Sequence, residues 1–404
     1  MSCAVRDGSK LILSGGEFTN LTRSERGVFF RDSGNEFIVA DGCKLVNANN
    51  NNQAIYHAPG NTITITGEGT EWDLNLDHII MNAPSNRLTV ADGARLVNAR
   101  GRIGWWETGN SYNEVLVTGD STVWDVGESI SVGQNSSFNT VTISNNAVVQ
   151  NTWIWLGAYA YWESGYGSDN GLIVTDGGKF YSGRDDGWNW GACIGAGGSS
   201  EGRNDRNYAL ITGTDSLWDL GSRPLRIGFM MEENSTGAWN RVRAEAGGMI
   251  TNIGHAYIGW TENNAVTSSN ELIAAVGGSI SASGINVGTD TSIGNRITLQ
   301  GGTINTGSLL IEPGNKLTPV LSKDELIPLK VSGTAVFEDG SYISPEKADD
   351  YTSAGNHVVL VADSIEDNGL MLDPDLDASN WFIEITSTQI MIRYSEYATT
   401  IIVR

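Results

Sequence analysis

Short runs of alternating apolar and polar residues recur along this chain, and an asparagine stands just before each of them. Asn35, Asn61, Asn86, Asn113 and Asn139 open the first runs, and Asn170, Asn207, Asn240, Asn270 and Asn295 open the later ones. By subtraction, successive asparagines lie 26, 25, 27, 26, 31, 37, 33, 30 and 25 residues apart. One fixed polar residue at that period predicts a stacked solenoid, in which each repeat covers its apolar face against its neighbours. Asparagines at one level of successive coils can pass amide hydrogen bonds along the stack, which satisfies polar groups at a buried bend.

The stretch 86–111 shows the unit. Leu88 and Val90 alternate with Arg87 and Thr89, the period-2 pattern of a strand with one buried face. Asp92-Gly93 supplies a turn, and Ala94, Leu96 and Asn98 form a second alternating run. A bend at Arg100-Gly101 then leads to a third short strand at Arg102-Ile103-Gly104. Three short strands per repeat predict an all-β fold, a right-handed parallel β-helix of about eleven rungs.

The second strand comes in two versions, Asp-Gly-Ala-x-Leu as at 92–96, and Thr/Ser-x-Trp-Asp at 70–73, 122–125 and 216–219. Glu71 must face water, so Trp72 faces inward, and Trp124 and Trp218 follow the same parity. Trp72 and Trp124 then lie two rungs apart with the slimmer Leu96 between them, filling the interior without a clash. The third strand repeatedly ends in apolar-Gly, as in Ile103-Gly104, Ile194-Gly195 and Ile258-Gly259. After that glycine the loops swell between residues 157 and 270, and another insertion spans 184–190. Insertions in a solenoid collect on one side, where binding is usually carried.

The pattern fades after Asn315. Prolines and acidic clusters appear beyond it, while 358–361, 381–385 and 389–393 still read as strands. The division expected is a parallel β-helix over 1–318 and a β-rich C-terminal capping region over 319–404, since a solenoid needs its last open rung covered. A β-prone tail, Ile401-Ile402-Val403-Arg404, ends the sequence and is a candidate for pairing with a neighbouring copy.

Composition sharpens this picture. At 404 residues the chain is long for one compact core, a limit that a solenoid escapes by growing in one dimension. Fifty glycines against 8 prolines suit many tight bends rather than collagen or a proline-rich linker. Asp and Glu number 47 against 25 Lys and Arg, a net charge of −22, which argues against nucleic acid as a partner. Cys3, Cys43 and Cys193 form no metal-like spacing, and Cys43 takes the place that Ala94 holds in its own repeat, a small core residue. No apolar stretch is long enough to span a bilayer, and the start lacks a signal-peptide apolar core. With its richness in Asn, Thr, Gly and Trp, the sequence reads as a mature or excised segment of a secreted protein, extracellular or at a cell surface.

The Asn-x-apolar-x-Val-x-Asp-Gly-Ala pattern, alternating with Gly-x-x-Ser/Thr-x-Trp-Asp and closed by apolar-Gly, resembles the repeats of autotransporter-type passenger domains and of related secreted bacterial β-helical proteins. The resemblance covers roughly residues 8–315, and the segment from Leu329 to Tyr394 is similar to the closing part of those passengers. It implies an adhesin, a surface-layer or a matrix protein.

A polygalacturonase-like site calls for several neighbouring Asp with Gly-His-Gly and Arg-Ile-Lys elements. Here Asp185-Asp186 is one acidic pair, Gly254-His255-Ala256 lacks the second glycine and Arg296-Ile297-Thr298 lacks the lysine. His57, His78, His255 and His357 are scattered without metal-like spacing. No catalytic residue, metal ligand or cofactor is therefore assigned. What stands out is aromatic. Parity places Trp153 and Trp155 on the outside of a third strand, near Trp105, Trp106 and Tyr159. Tyr161, Trp162 and Tyr166 follow in a long loop, and Trp188, Trp190 and Trp260 on later rungs, with Asp185 and Asp186 beside them. Such a flank suits sugar rings or a protein partner, and equally a layer of rings folded back onto the helix. The expected function is a non-enzymatic structural or adhesive solenoid that contacts copies of itself or a cell-surface glycan or protein. A glycan-binding or polysaccharide-degrading β-helix is the alternative.

Overall fold

The computed structural model describes residues 3–20, 26–30, 32–47, 53–56, 58–105, 109–157, 166–184, 191–197, 203–230, 235–262, 265–289, 291–351, 355–376 and 380–395. Among them every regular element is a strand, and parallel strands stack as a β-solenoid of about eleven turns. Lys10–Ser14, Glu36–Ala40, Thr62–Thr66, Arg87–Ala91 and Glu114–Thr118 begin the column of first strands, paired parallel without a shift of register. Second strands such as Lys44–Asn47, Glu71–Asp73, Arg95–Asn98 and Val123–Val126 stack likewise. So do third strands such as His78–Met81, Arg100–Ile103, Ser129–Val132 and Trp153–Leu156. Because register is kept, each residue type meets its counterpart one rung away, and alternation in sequence becomes a continuous interior.

The asparagines form the expected ladder. The N–H of Asn35 donates to Oδ1 of Asn61 at 2.8 Å, and that of Asn61 to Oδ1 of Asn86 at 2.9 Å. The same bond repeats without a gap to Asn315, an eleventh member that takes the bond from Asn295 at 3.1 Å. Ser9 feeds the ladder at its other end by donating to Asn35. From Asn113 onward each side-chain amide also donates to the next Oδ1, as at Asn139–Asn170 (3.0 Å) and Asn170–Asn207 (3.1 Å). On earlier rungs Nδ2 donates to a main-chain carbonyl instead, from Asn61 to Ala58 and from Asn86 to Ala83, both at 2.8 Å. The glycines that end the third strands belong to the same device. Gly104, Gly133, Gly157, Gly195, Gly228, Gly259 and Gly288 hold φ between 66° and 87°. A Cβ on Gly195 would overlap the amide of Asn240, and one on Gly228 that of Asn270. Asparagine and glycine therefore act as a pair, the missing side chain leaving room for the ladder amide.

Inside, Trp72, Trp124 and Trp218 are fully buried, and Leu96 pairs with Trp72 on one side and Trp124 on the other, as the parity predicted. Glu71 faces outward in ion pairs with Lys44 and Arg95, and Cys43 and Ala94 are both buried. Two of the three indole N–H groups find acceptors across the rungs, Trp124 on Asn98 at 2.7 Å and Trp218 on Ser182 at 2.8 Å, while that of Trp72 is buried without one. One local expectation is corrected. Gly101 does not bend the chain, because Arg100–Ile103 is a single strand and the bend falls before it, at Ala99. The glycine is needed for space, since a Cβ there would stand 2.8 Å from the Trp124 ring.

The two versions of the second strand interlock. Asp41-Gly42 and Asp92-Gly93 have positive φ at both residues, the requirement of a tight I′ turn. The glycine N–H of each then donates to a hydroxyl on the next rung, Gly42 to Thr70 at 3.0 Å and Gly93 to Thr122 at 2.9 Å. Gly177 does the same with Ser216 at 3.1 Å. Outside, charges alternate along the stack from Lys44 through Glu71, Arg95 and Asp125 to Arg184.

Parallel pairing continues past residue 318. Leu329–Phe337 joins the second and third columns in one strand, pairing with Thr303–Thr306 and Leu309–Ile311. Gly355–Asp367 stacks parallel on it, and only then does Gln389–Tyr394 add antiparallel, with Trp381–Ile385 antiparallel to that strand in turn. The tail at 401–404 lies outside the described residues.

Candidate functional site

The outer face of the third strands becomes chemically distinct in the middle of the stack. Trp155, Cys193, Arg226, Tyr257 and Asn286 stand at one register position on successive rungs. Their neighbours Leu156, Ile194, Ile227, Ile258 and Val287 are buried in the core. Strand parity thus turns the first row away from the interior. Trp155 points outward as the alternation predicted, yet it is only 3 % exposed. It belongs to a second hydrophobic cluster with Cys193, Ala196 and Phe229, against which Trp153 and Trp260 pack. This part of the flank is a covered layer rather than an open aromatic surface, and large rings on a pleated face gain more by covering one another than by facing water.

Beyond that layer the rings open into a cleft. Arg226, Phe229, Tyr257, Trp260 and Glu262 line a recess of about 170 Å³. The Arg226 guanidinium lies 5.2 Å from the Phe229 ring centre and 5.9 Å from that of Tyr257. Tyr257 meets Trp260 edge-on, with centroids 4.9 Å apart and planes at 71°, and its ring also lies 4.6 Å from that of His255. Main-chain bonds fix the rim. The Met230 N–H donates to the Trp260 carbonyl at 3.1 Å, and the Glu262 N–H to the Met230 carbonyl at 2.9 Å. Beneath, burial pushes the Cys193 thiol up, while the hydrogen bond and charge of Arg226 work against that shift.

Of the residues singled out from sequence, Trp153, Trp155 and Trp260 come together here. Trp153 and Trp155 touch at 5.1 Å between ring centres. Trp105 stands on an earlier rung with Arg102 over its ring at 4.1 Å, and Tyr166 is an exposed residue bridged to Arg203. Trp106, Tyr159, Tyr161, Trp162, Asp185, Asp186, Trp188 and Trp190 lie outside the described residues. Arg226, Phe229, Tyr257 and Glu262 escaped notice, although two signals mark them. Arg226 and Tyr257 are the outward positions of Leu-Arg-Ile and Ala-Tyr-Ile, and Phe229 and Trp260 each follow the third-strand glycine directly.

Other surfaces are plainer. A larger groove of about 750 Å³ runs past Ser281, Ser283, Asn305, Lys330 and Asp363, lined by small and hydroxyl-bearing residues without an aromatic. At the asparagine corner Tyr112 and Phe138 stack at 5.1 Å with planes 5° apart, both with positive φ and both exposed. Gly60 and Gly294 hold that corner position on other rungs, so the bulky residues there carry backbone strain that the ring stacking partly offsets. Among the described residues no His, Cys, Asp or Glu group is arranged to hold a metal ion. Scanning against protein-family models gives no match, and a search of curated proteins finds no relative.

Proposed function

We propose that the chain is a structural and adhesive β-solenoid, a non-enzymatic scaffold that presents the flank of its central rungs as a contact surface outside the cell. The observation that carries this reading is the cleft between Arg226, Tyr257 and Trp260, set on third strands whose register is locked to the rungs on either side. Aromatic rings and an arginine around a recess are the side chains that recur as anchors in binding surfaces. Hydrolysis of a glycosidic bond needs two carboxylates facing each other across it, and the described lining of the cleft supplies Glu262 alone. The acidic surface, at a net charge of −22, suits a contact that is not polyanionic.

The test is adsorption of the labelled chain to bacterial cells and to isolated extracellular matrix. Replacing Tyr257 and Trp260 together by alanine is expected to reduce adsorption about tenfold or more, while Tyr112→Ala leaves it unchanged. Equal adsorption of all three proteins, or turnover of a matrix polysaccharide by the chain, sinks the reading.

A further inference from the structure

We infer that the cleft lined by Arg226, Phe229, Tyr257, Trp260 and Glu262 is a binding site for one ring of a neutral saccharide. The inference deepens the contact reading and rests on it. Its size is the first argument, because about 170 Å³ is well below the roughly 300–1,000 Å³ of pockets that enclose larger ligands. The second is the composition of its walls. Trp260 and Tyr257 meet edge to face, so the two rings form a corner rather than a flat platform. A pyranose is amphipathic in a matching way, with C–H groups on its faces to lie against a ring and hydroxyls around its rim.

The polar members then decide among ligand classes. A carboxylated sugar would gain from Arg226 but would meet Glu262 and a protein of net charge −22. A quaternary ammonium would gain from the aromatic walls and Glu262 but would meet Arg226. A purely apolar group would displace water from the exposed Glu262 carboxylate and offer it no hydrogen bond in return. A sugar hydroxyl both donates and accepts, so a neutral ring can accept hydrogen bonds from the guanidinium and donate to the carboxylate at once. Arg226 is already steered by Cys193, Phe229 and Tyr257, which leaves less side-chain freedom to lose when a ligand arrives.

Isothermal titration calorimetry on the whole chain tests this, with hexasaccharides of glucose, mannose and galactose as neutral probes, oligogalacturonate as the anionic probe and choline as the cationic one. At least one neutral hexasaccharide is expected to bind, with oligogalacturonate and choline about tenfold weaker or more. Trp260→Ala should weaken that binding about tenfold, and the exposed, near-isosteric Glu262→Gln should weaken it severalfold. Stronger binding of either charged probe overturns the assignment, as does silence from every neutral probe or binding that neither substitution alters. If flank substitutions abolish adsorption to cells while no neutral probe binds, the saccharide assignment falls and the contact reading stands. If adsorption is also indifferent to them, both fall.

Discussion

Asn170 shows how much one side chain carries. Its Oδ1 accepts from the main-chain N–H and the Nδ2 of Asn139, both at 3.0 Å, and its own Nδ2 donates to the Ser136 carbonyl at 3.0 Å. Asn139 and Asn170 are buried, so truncation takes the acceptor from the Asn139 main-chain N–H and the donor from the Ser136 carbonyl where water does not replace them. Asn170→Ala is therefore expected to cost about 3 kcal/mol in urea unfolding, several times the effect of an ordinary surface substitution. A loss below about 0.5 kcal/mol would show that the ladder is decoration. Residues of this kind were legible in the sequence because each repeats in every rung. Thr70 and Thr122 were legible as members of the Trp version of the repeat, but their role was not, because the turn that their hydroxyls tie down belongs to the preceding rung. Gly101 was misread for a related reason, since glycine serves both bends and crowding and only the position of Trp124 tells which.

At the scale of the element, parity is the rule that travels best, and its limit is instructive. Alternation sent Trp153 and Trp155 to the outer face of their strand, but what lies over an outer face depends on residues from other rungs, here Cys193 and Phe229. Eight of the thirteen residues that the sequence marks as a contact flank lie outside the described residues. The third strands also carry a titrating feature. His78 pairs in register with Arg100, and burial together with Arg102 and Arg100 holds its imidazole down to about 4. An unfolded chain binds that proton near pH 6.5, so between pH 6.5 and 4 the unfolded state holds more protons than the folded one. Stability should be full above pH 6.5, fall as pH drops towards 4 and lose nothing further from this group below that. Thermal unfolding between pH 7 and 4.5 should accordingly show a shallower decline for His78→Gln than for the unaltered protein. Parallel slopes would remove His78 as the cause.

For the whole molecule the question is which surface meets the outside. Three regions compete: the flank around Tyr257 and Trp260, the stacked pair Tyr112 and Phe138 at the asparagine corner, and the edge formed by Lys10–Ser14 and Glu17–Asn20. That edge is where Phe18, in the column of Leu45 and Trp72, is still 40 % exposed, so contact between copies of the chain would register there. Hydroxyl-radical footprinting read by mass spectrometry addresses all three at once, because each region carries exposed or half-exposed aromatic rings that the radical modifies. The chain is footprinted alone and again when adsorbed to the cells or matrix that bind it. The solenoid-with-contact-flank account predicts that modification of Tyr257 and Trp260 drops on adsorption while Tyr112, Phe138 and Phe18 stay as reactive as in the free chain. Protection confined to Tyr112 and Phe138 or to Phe18, with Tyr257 and Trp260 unchanged, would contradict it.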